Sequence, residues 1–152
     1  MERYRLYWIE KEVANYFYHK GDILYRFLLE YRRANNYYTS IQYEYVTNNI
    51  PHKDLVNYII ESCNSNNIVV RQKGSKLKLS DGYSKVELKI NEKSIDIYAK
   101  TLLCAENIVF PILRSFQSSF FIVGEDKEEY GWISPFLKNR EKSLNESLYS
   151  LP

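Results

Sequence analysis

Apolar side chains follow two different periods along the chain. Residues 3–9 alternate between apolar and polar positions, which predicts a strand with Tyr4, Leu6 and Trp8 on one face. From there to about residue 65 the apolar positions mostly recur at helical spacing, and from residue 68 they return to a spacing of two. This change of period predicts an α+β chain.

Two helices are expected after the first strand. The first covers residues 10–19 and is predicted to end near Gly21, because glycine favours the position that follows a last helical turn. Asp22 then caps a second helix over residues 23–33. The buried stripe of this second helix is predicted to consist of Ile23, Phe27, Leu28 and Tyr31.

The middle of the chain contains one ambiguous segment and one clear helix. Residues 41–47 fit either a strand or a helix, because their apolar residues alternate while their neighbours are helical. Pro51 suits the first turn of a third helix. The apolar face of that helix is predicted to carry Leu55, Val56, Ile59 and Ile60.

The second half of the chain is dominated by predicted strands. Four short strands are expected between residues 68 and 99, with turns around Gly74, Asp81-Gly82 and Asn91-Glu92. Residues 105–116 predict a helix that Pro111 should kink or restart. Residues 119–123 and 130–134 then predict a hairpin.

Together these elements predict a single α+β domain over residues 1–136, with a mainly antiparallel β-sheet packed against several short helices. A chain of 152 residues suits one domain with its own hydrophobic core. Residues 137–152 are polar with a weak leucine period, which predicts a C-terminal extension that is a loose helix or a tail.

The opening helix carries more apolar surface than one buried face requires. At about 100° per residue its apolar and aromatic arc spans roughly 200°, whereas a core-facing stripe needs little more than about 100°. Part of that arc should therefore remain outside the core.

Composition adds two features to this pattern. The chain has 15 tyrosines, and tyrosine can bury its ring while its hydroxyl stays at the surface. The formal net charge of +2 is too small to indicate a nucleic-acid or membrane surface by itself. Between residues 71 and 100, however, eight Lys or Arg side chains stand against four carboxylates. Their alternation with apolar residues is typical of a solvated sheet face, or alternatively of a weak contact with an anionic partner.

The sequence contains none of the common catalytic, phosphate-binding or metal-binding motifs. His19 and His52 each lie beside a lysine, which favours solvation, and Cys63 and Cys104 lack metal-ligand spacing. We therefore expect no enzymatic activity, no cofactor and no metal site. Since there is no signal peptide and no apolar run of membrane-spanning length, we expect a cytoplasmic protein without a membrane partner.

Three separated segments carry a resemblance to a known family. The segments are "MERY" with "IEKEVANYFY" at the start, "QYEYVTNNIP" in the middle and "YGWISPF" near the end. Their order and spacing resemble those of the SirA family of Bacillus relatives. These proteins are sporulation inhibitors of replication. The resemblance is strongest over residues 1–18 and 130–136 and is moderate over residues 42–51.

This resemblance implies a non-enzymatic inhibitor of chromosome replication initiation that binds the N-terminal domain of the initiator DnaA. It further implies a monomer that forms a 1:1 heterodimer with DnaA and makes no direct contact with nucleic acid. The implied partner-binding residues are Val13, Phe17, Gln42 and Tyr45. Val13 and Phe17 would then face outward as the apolar centre of a protein interface, while Tyr16 or Ala14 with Tyr18 turns toward the sheet. An aromatic residue stands in the family at the position of Val13, so the partner's pocket is smaller here or the contact shifts toward Tyr16 or Tyr18. We also expect Tyr45 to lie near Phe17.

Two other functions remain open at this point. A nucleic-acid-binding module would use the basic strands of residues 71–100, with exposed Tyr83 or Tyr98 for base stacking. A self-associating structural protein would use the same exposed opening helix. Trp132, in the segment near the end, is expected to have a structural packing role.

Overall fold

The computed structural model describes residues 1–33, 36–135 and 137, and this part of the chain contains seven strands and six helices. In chain order these are β1 (Glu2–Trp8), α1 (Lys11–Phe17), α2 (Gly21–Arg33), α3 (Tyr37–Val46), α4 (His52–Ser65), β2 (Val69–Lys73), β3 (Lys76–Ser80), β4 (Lys85–Ile90), β5 (Ser94–Ala99), α5 (Leu102–Ile108), α6 (Phe110–Phe116), β6 (Phe120–Gly124) and β7 (Tyr130–Trp132). The predicted α+β class is confirmed.

The seven strands form one antiparallel sheet in the order β2-β3-β4-β5-β1-β6-β7. The strands β2 to β5 follow one another as hairpins, and positive φ angles at Gly74 and Gly82 allow two of the tight turns. The first strand of the chain lies between β5 and β6, where Leu6 is opposite Ile95 on one side and Ile122 on the other. β1 is therefore an interior strand.

Different helices cover the two faces of this sheet. On one face, Tyr4 and Leu6 of β1 belong to a large core that includes buried residues of α4, α5 and α6. On the opposite face, Tyr7 and Ile9 belong to a small core that includes buried residues of α1, α2 and α3. The strands β1 and β6 contribute to the small core, as does Ile9 directly after β1, and Trp132 of β7 packs against it. None of the described residues of β2 to β5 contributes.

The first two helices differ from the prediction in their boundary and their buried stripe. α1 ends at Phe17, and Gly21 begins α2 instead of terminating α1. The predicted stripe is wrong at Ile23, whose side chain is exposed, because the buried positions of α2 are Leu24 and Leu28. Two further members of the predicted stripe, Phe27 and Tyr31, are half-buried against the small core.

The remaining helices agree with the sequence more closely. The ambiguous segment 41–47 is helical up to Val46. Pro51, predicted in the first turn of a helix, stands one position earlier, as the N-cap of α4. The helix expected over residues 105–116 begins earlier, at Leu102, and is divided into α5 and α6. Pro111 lies in the first turn of α6, so the proline restarts the helix, as expected from its missing N–H group.

The C-terminal end of the described chain packs onto the small core. Leu137, the first residue of the predicted extension, is buried there. The rest of that extension, residues 138–152, and Phe136 of the resembling segment lie outside the described residues. Within the described part of the chain, no helix is long and apolar enough to cross a membrane.

Candidate partner-binding surface

The two segments that the resemblance singles out meet at their ends. Ile9, just before α1, forms a single antiparallel bridge with Thr47, just after α3. The Glu10 N–H donates to the carbonyl oxygen of Val46 at 2.7 Å, and the Asn48 N–H donates to the carbonyl oxygen of Trp8 at 2.8 Å. The start of α1 is therefore fixed by main-chain hydrogen bonds to the end of α3.

α1 is a short helix with a well-defined start. The Glu10 side chain accepts hydrogen bonds from the N–H groups of Glu12 and Val13, each at 3.0 Å. These two donors have no partner within the helix, so the carboxylate satisfies them and also complements the positive end of the helix dipole. The cap fixes the direction in which the side chains of α1 point.

The outward face of α1 differs from the one expected. Ala14 is buried, while Val13 and Phe17 are half-buried against the small core. Tyr16 has the most exposed aromatic ring of this helix, at 64% exposure. Its ring centroid lies 4.8 Å from that of Phe17 in an edge-to-face arrangement, and the Lys20 ammonium lies 4.3 Å above the Tyr16 ring. Phe17 therefore presents only part of its ring to a partner, with Tyr16 beside it.

Tyr18 has a structural position, as does the tryptophan expected to pack structurally. The rings of Tyr18 and Trp132 stack with centroids 5.6 Å apart, and the Trp132 Nε1–H donates to the Tyr18 carbonyl oxygen at 3.1 Å. Trp132 also contacts Phe121 of the neighbouring strand edge-to-face at 5.0 Å. This aromatic group ties the end of α1 to the β6–β7 edge of the sheet.

α3 is anchored through one buried tyrosine. The Tyr43 ring stacks on Tyr31 of α2, with centroids 3.8 Å apart, and meets Tyr7 of β1 edge-to-face at 6.1 Å. Burial in this ring cluster raises the pKa of the Tyr43 phenol well above its usual range. At the other end of the helix, the Asn36 side chain accepts from the Thr39 N–H at 2.8 Å. These contacts fix which side of α3 faces the solvent.

The solvent side of α3 is unusually apolar. Tyr37, Ile41 and Tyr45 are spaced four residues apart and are all exposed, and Tyr38 lies beside them. We call these four residues the α3 stripe. Because residues four apart are neighbours on a helix surface, the stripe is continuous, and Gln42 borders it. Tyr45 is 72% exposed, so most of its surface is available to a partner.

The structure thus brings together α1 and α3, which carry the four predicted site residues. These residues differ in how exposed they are. Gln42 and Tyr45 are exposed, whereas Val13 and Phe17 are partly packed. The closeness of the Tyr45 and Phe17 rings stays a prediction. Tyr37, Tyr38 and Ile41 were not among the predicted site residues, because the pattern of residues 41–47 fits either a strand or a helix. A helix starting at Tyr37 would have shown their common side by spacing alone.

Comparison with known proteins identifies a family for this chain. The sequence model of one family, described as "Sporulation inhibitor of replication protein SirA", matches residues 2–137. A search of curated proteins gives no match. The match to the family covers β1 to β7 and every residue of the candidate surface. The chain therefore belongs to the SirA family of sporulation inhibitor of replication proteins.

Proposed function

We propose that this protein stops the initiation of chromosome replication during sporulation by binding the N-terminal domain of DnaA through α1 and α3. Membership of the SirA family makes it a regulatory inhibitor of replication. The identity of the partner domain and the position of the contact surface are our proposal. The protein would act in the cytoplasm as a monomer that forms a 1:1 complex with DnaA, and its own chain would supply no catalytic step.

The observation that carries this proposal is the exposed α3 stripe beside α1. Tyr37, Tyr38 and Tyr45 are each at least 72% exposed, and Ile41 is 49% exposed. Soluble proteins rarely expose several large apolar side chains side by side unless the surface binds something. Tyrosine is also enriched at the centres of protein interfaces, where it loses little conformational entropy on binding.

The rigid connection between the two helices supports a preformed surface. The hydrogen bonds from Glu10 to Val46 and from Asn48 to Trp8 fix α3 against the start of α1 before any partner arrives. A preformed surface avoids the entropic cost of ordering on association. We infer that Tyr45 and Gln42 form the main contact, with Tyr16 and the accessible edge of Phe17 contributing from α1.

A test in a sporulating host examines this proposal directly. Expression of the wild-type protein should lower the number of origins per cell, and Tyr45→Ala should restore it at equal protein abundance. Tyr83→Ala is the matched control, because Tyr83 is 97% exposed in the turn between β3 and β4 and belongs to neither α1 nor α3. Equal inhibition by the wild type and the Tyr45 variant would contradict the proposed surface.

A further inference from the structure

A second surface lies on the part of the sheet that α1, α2 and α3 leave uncovered. The strands β2, β3 and β4 send Val70, Leu79 and Leu88 among others toward the large core, so their alternate residues point to the opposite face. Six of those alternate residues are cations: Arg71, Lys73, Lys76, Lys78, Lys85 and Lys89. We call this set the basic sheet surface.

The register places these cations directly beside one another. Lys76 of β3 is opposite Lys73 on one side and Lys89 on the other, and Arg71 is opposite Lys78. Like charges directly opposite each other destabilise a sheet. The chain therefore carries three unfavourable cross-strand pairs on one face of three neighbouring strands.

Few carboxylates neutralise this surface. Within the described residues none of the six cations forms an ion pair, and Glu87 is the one carboxylate that alternates with them on the same face. Asp96 of the next strand is opposite Lys89, but its carboxylate accepts a hydrogen bond from Arg5 at 2.9 Å. The positive charge is thus largely uncompensated.

A cavity and two tyrosines lie at the basic sheet surface. The cavity, of about 520 Å³, lies at one part of it and is lined by Arg71, Lys78, Lys85 and Glu87 among others. Tyr83 is 97% exposed in the turn between β3 and β4. Tyr98 of β5 is opposite Glu87 on the same face, but it is half-buried and not exposed as predicted. The Arg3 guanidinium lies 5.4 Å from its ring centroid.

Protection of the sheet edge does not account for this pattern. Lysines on an edge strand prevent pairing with other chains, and Arg71 and Lys73 on β2 serve that purpose. β3 and β4 are interior strands, already paired on both sides, so Lys76, Lys78, Lys85 and Lys89 protect no edge. Lys76 nevertheless lies between two like charges, Lys73 and Lys89, and this arrangement needs another reason.

We propose that the basic sheet surface binds single-stranded nucleic acid through its phosphates, without reading its sequence. Neighbouring strands are about 4.8 Å apart and alternate residues about 6.8 Å apart, so the cations form a closely spaced grid that matches a line of phosphates. An exposed tyrosine at the border of such a groove, such as Tyr83, stacks on bases of any kind. The inference departs from the expectation of no nucleic-acid contact, which followed from the family resemblance alone, and it is independent of the surface proposed for DnaA.

The test uses a fluorescently labelled 20-nucleotide oligothymidylate and the full-length protein, followed by fluorescence anisotropy. If the wild type contacts six phosphates, raising the salt from 50 to 200 mM should weaken its binding by about 300-fold. A variant that keeps two of these contacts should weaken by only about 7-fold over the same range. The variant Lys76→Gln, Lys78→Gln, Lys85→Gln, Lys89→Gln should therefore bind at least about 10-fold more weakly at 50 mM salt and show the shallower salt dependence. Its circular dichroism should match that of the wild type.

A matched variant removes the same charge elsewhere: Lys11→Gln, Lys20→Gln, Lys53→Gln, Lys127→Gln. It should bind the oligonucleotide almost as tightly as the wild type. The inference would be overturned if the wild type did not bind at 50 mM salt, or if it bound a duplex of the same length more tightly. It would also be overturned if both variants lost affinity equally, or if neither lost affinity. The variant on the sheet should still bind the DnaA domain, so failure here is separable from failure of the proposed function.

Discussion

Tyr45 and Phe17 differ in how much of each ring a partner can reach. Tyr45 is 72% exposed on α3, whereas Phe17 is half-buried between the small core and the Tyr16 ring. A single aromatic hot spot contributes about 2 kcal/mol or more to a protein interface. The two residues should therefore respond differently to the same substitution.

We expect Tyr45→Ala to weaken binding of the DnaA domain by about 2 kcal/mol, or about 30-fold, with an unchanged melting temperature. Phe17→Ala should weaken binding too, but it should also lower the free energy of unfolding by about 1–2 kcal/mol, because packed ring surface is lost. Calorimetric titration and thermal melts measure the two effects. A large fall in melting temperature for Tyr45→Ala would show that its ring is part of the core.

The two cysteines should differ in reactivity. Cys63 is buried in the large core, and burial raises the pKa of its thiol to about 11. Cys104 is partly accessible, and hydrogen bonds from the side chains of Thr101 and Ser84 lower the pKa of its thiol. Because the thiolate is the reactive form, Ellman's reagent at pH 8 should modify Cys104 quickly and Cys63 only after unfolding. Two thiols that react at one rate in the native protein would contradict this assignment.

At the scale of elements, the basic sheet surface should limit the stability of the sheet. Lys76 lies between Lys73 and Lys89 in neighbouring strands. Lys76→Glu would replace two repulsive cross-strand pairs with two attractive ones, and each such pair contributes roughly 0.2–1 kcal/mol. We expect the free energy of unfolding to rise by about 1 kcal/mol at low salt, as measured by urea denaturation.

Lys76→Gln is the matched control, because it removes the charge without reversing it, and it should give about half of that gain. Both gains should shrink in about 1 M salt, where charges beyond roughly 3 Å are screened. A stability that falls in both variants would mean that the Lys76 side chain makes a favourable contact that outweighs the repulsion.

The elements also show where local sequence is informative. β3 could be predicted because Leu77 and Leu79 alternate with lysines, and α4 because Leu55 and Ile59 repeat at helical spacing. α3 could not, because Tyr37, Ile41 and Tyr45 on its outer side are as apolar as its buried Tyr43. A helix with apolar residues on both sides loses the contrast on which periodicity depends. That loss of contrast is itself typical of an interface helix.

At the scale of the whole molecule, the order of the strands could not be predicted from local pattern. β1 pairs with β5 and β6, about 90 and 120 residues away, and such distant pairings leave no local signal. The same placement decides which part of the sheet α1, α2 and α3 cover. The predicted outward orientation of Val13 and Phe17 was wrong for this reason. Both residues contact a core that includes residues of β6 and β7, from the end of the chain.

The whole fold also separates its two proposed surfaces. The α3 stripe lies over the part of the sheet around β1, whereas the basic sheet surface lies on β2 to β4. The two surfaces therefore share no residue. Variants on one surface should leave binding at the other unchanged, because mutations at distant sites without shared contacts are usually additive.

The most direct test of the central claim is an isothermal titration of the wild-type protein with the isolated N-terminal domain of DnaA. We predict a 1:1 complex whose affinity falls about 30-fold in Tyr45→Ala and is unchanged in Tyr83→Ala. The affinity should also change little with salt, because an apolar interface is weakly screened. No heat of binding between two folded proteins at several temperatures, or full affinity in Tyr45→Ala, would contradict the proposed interface.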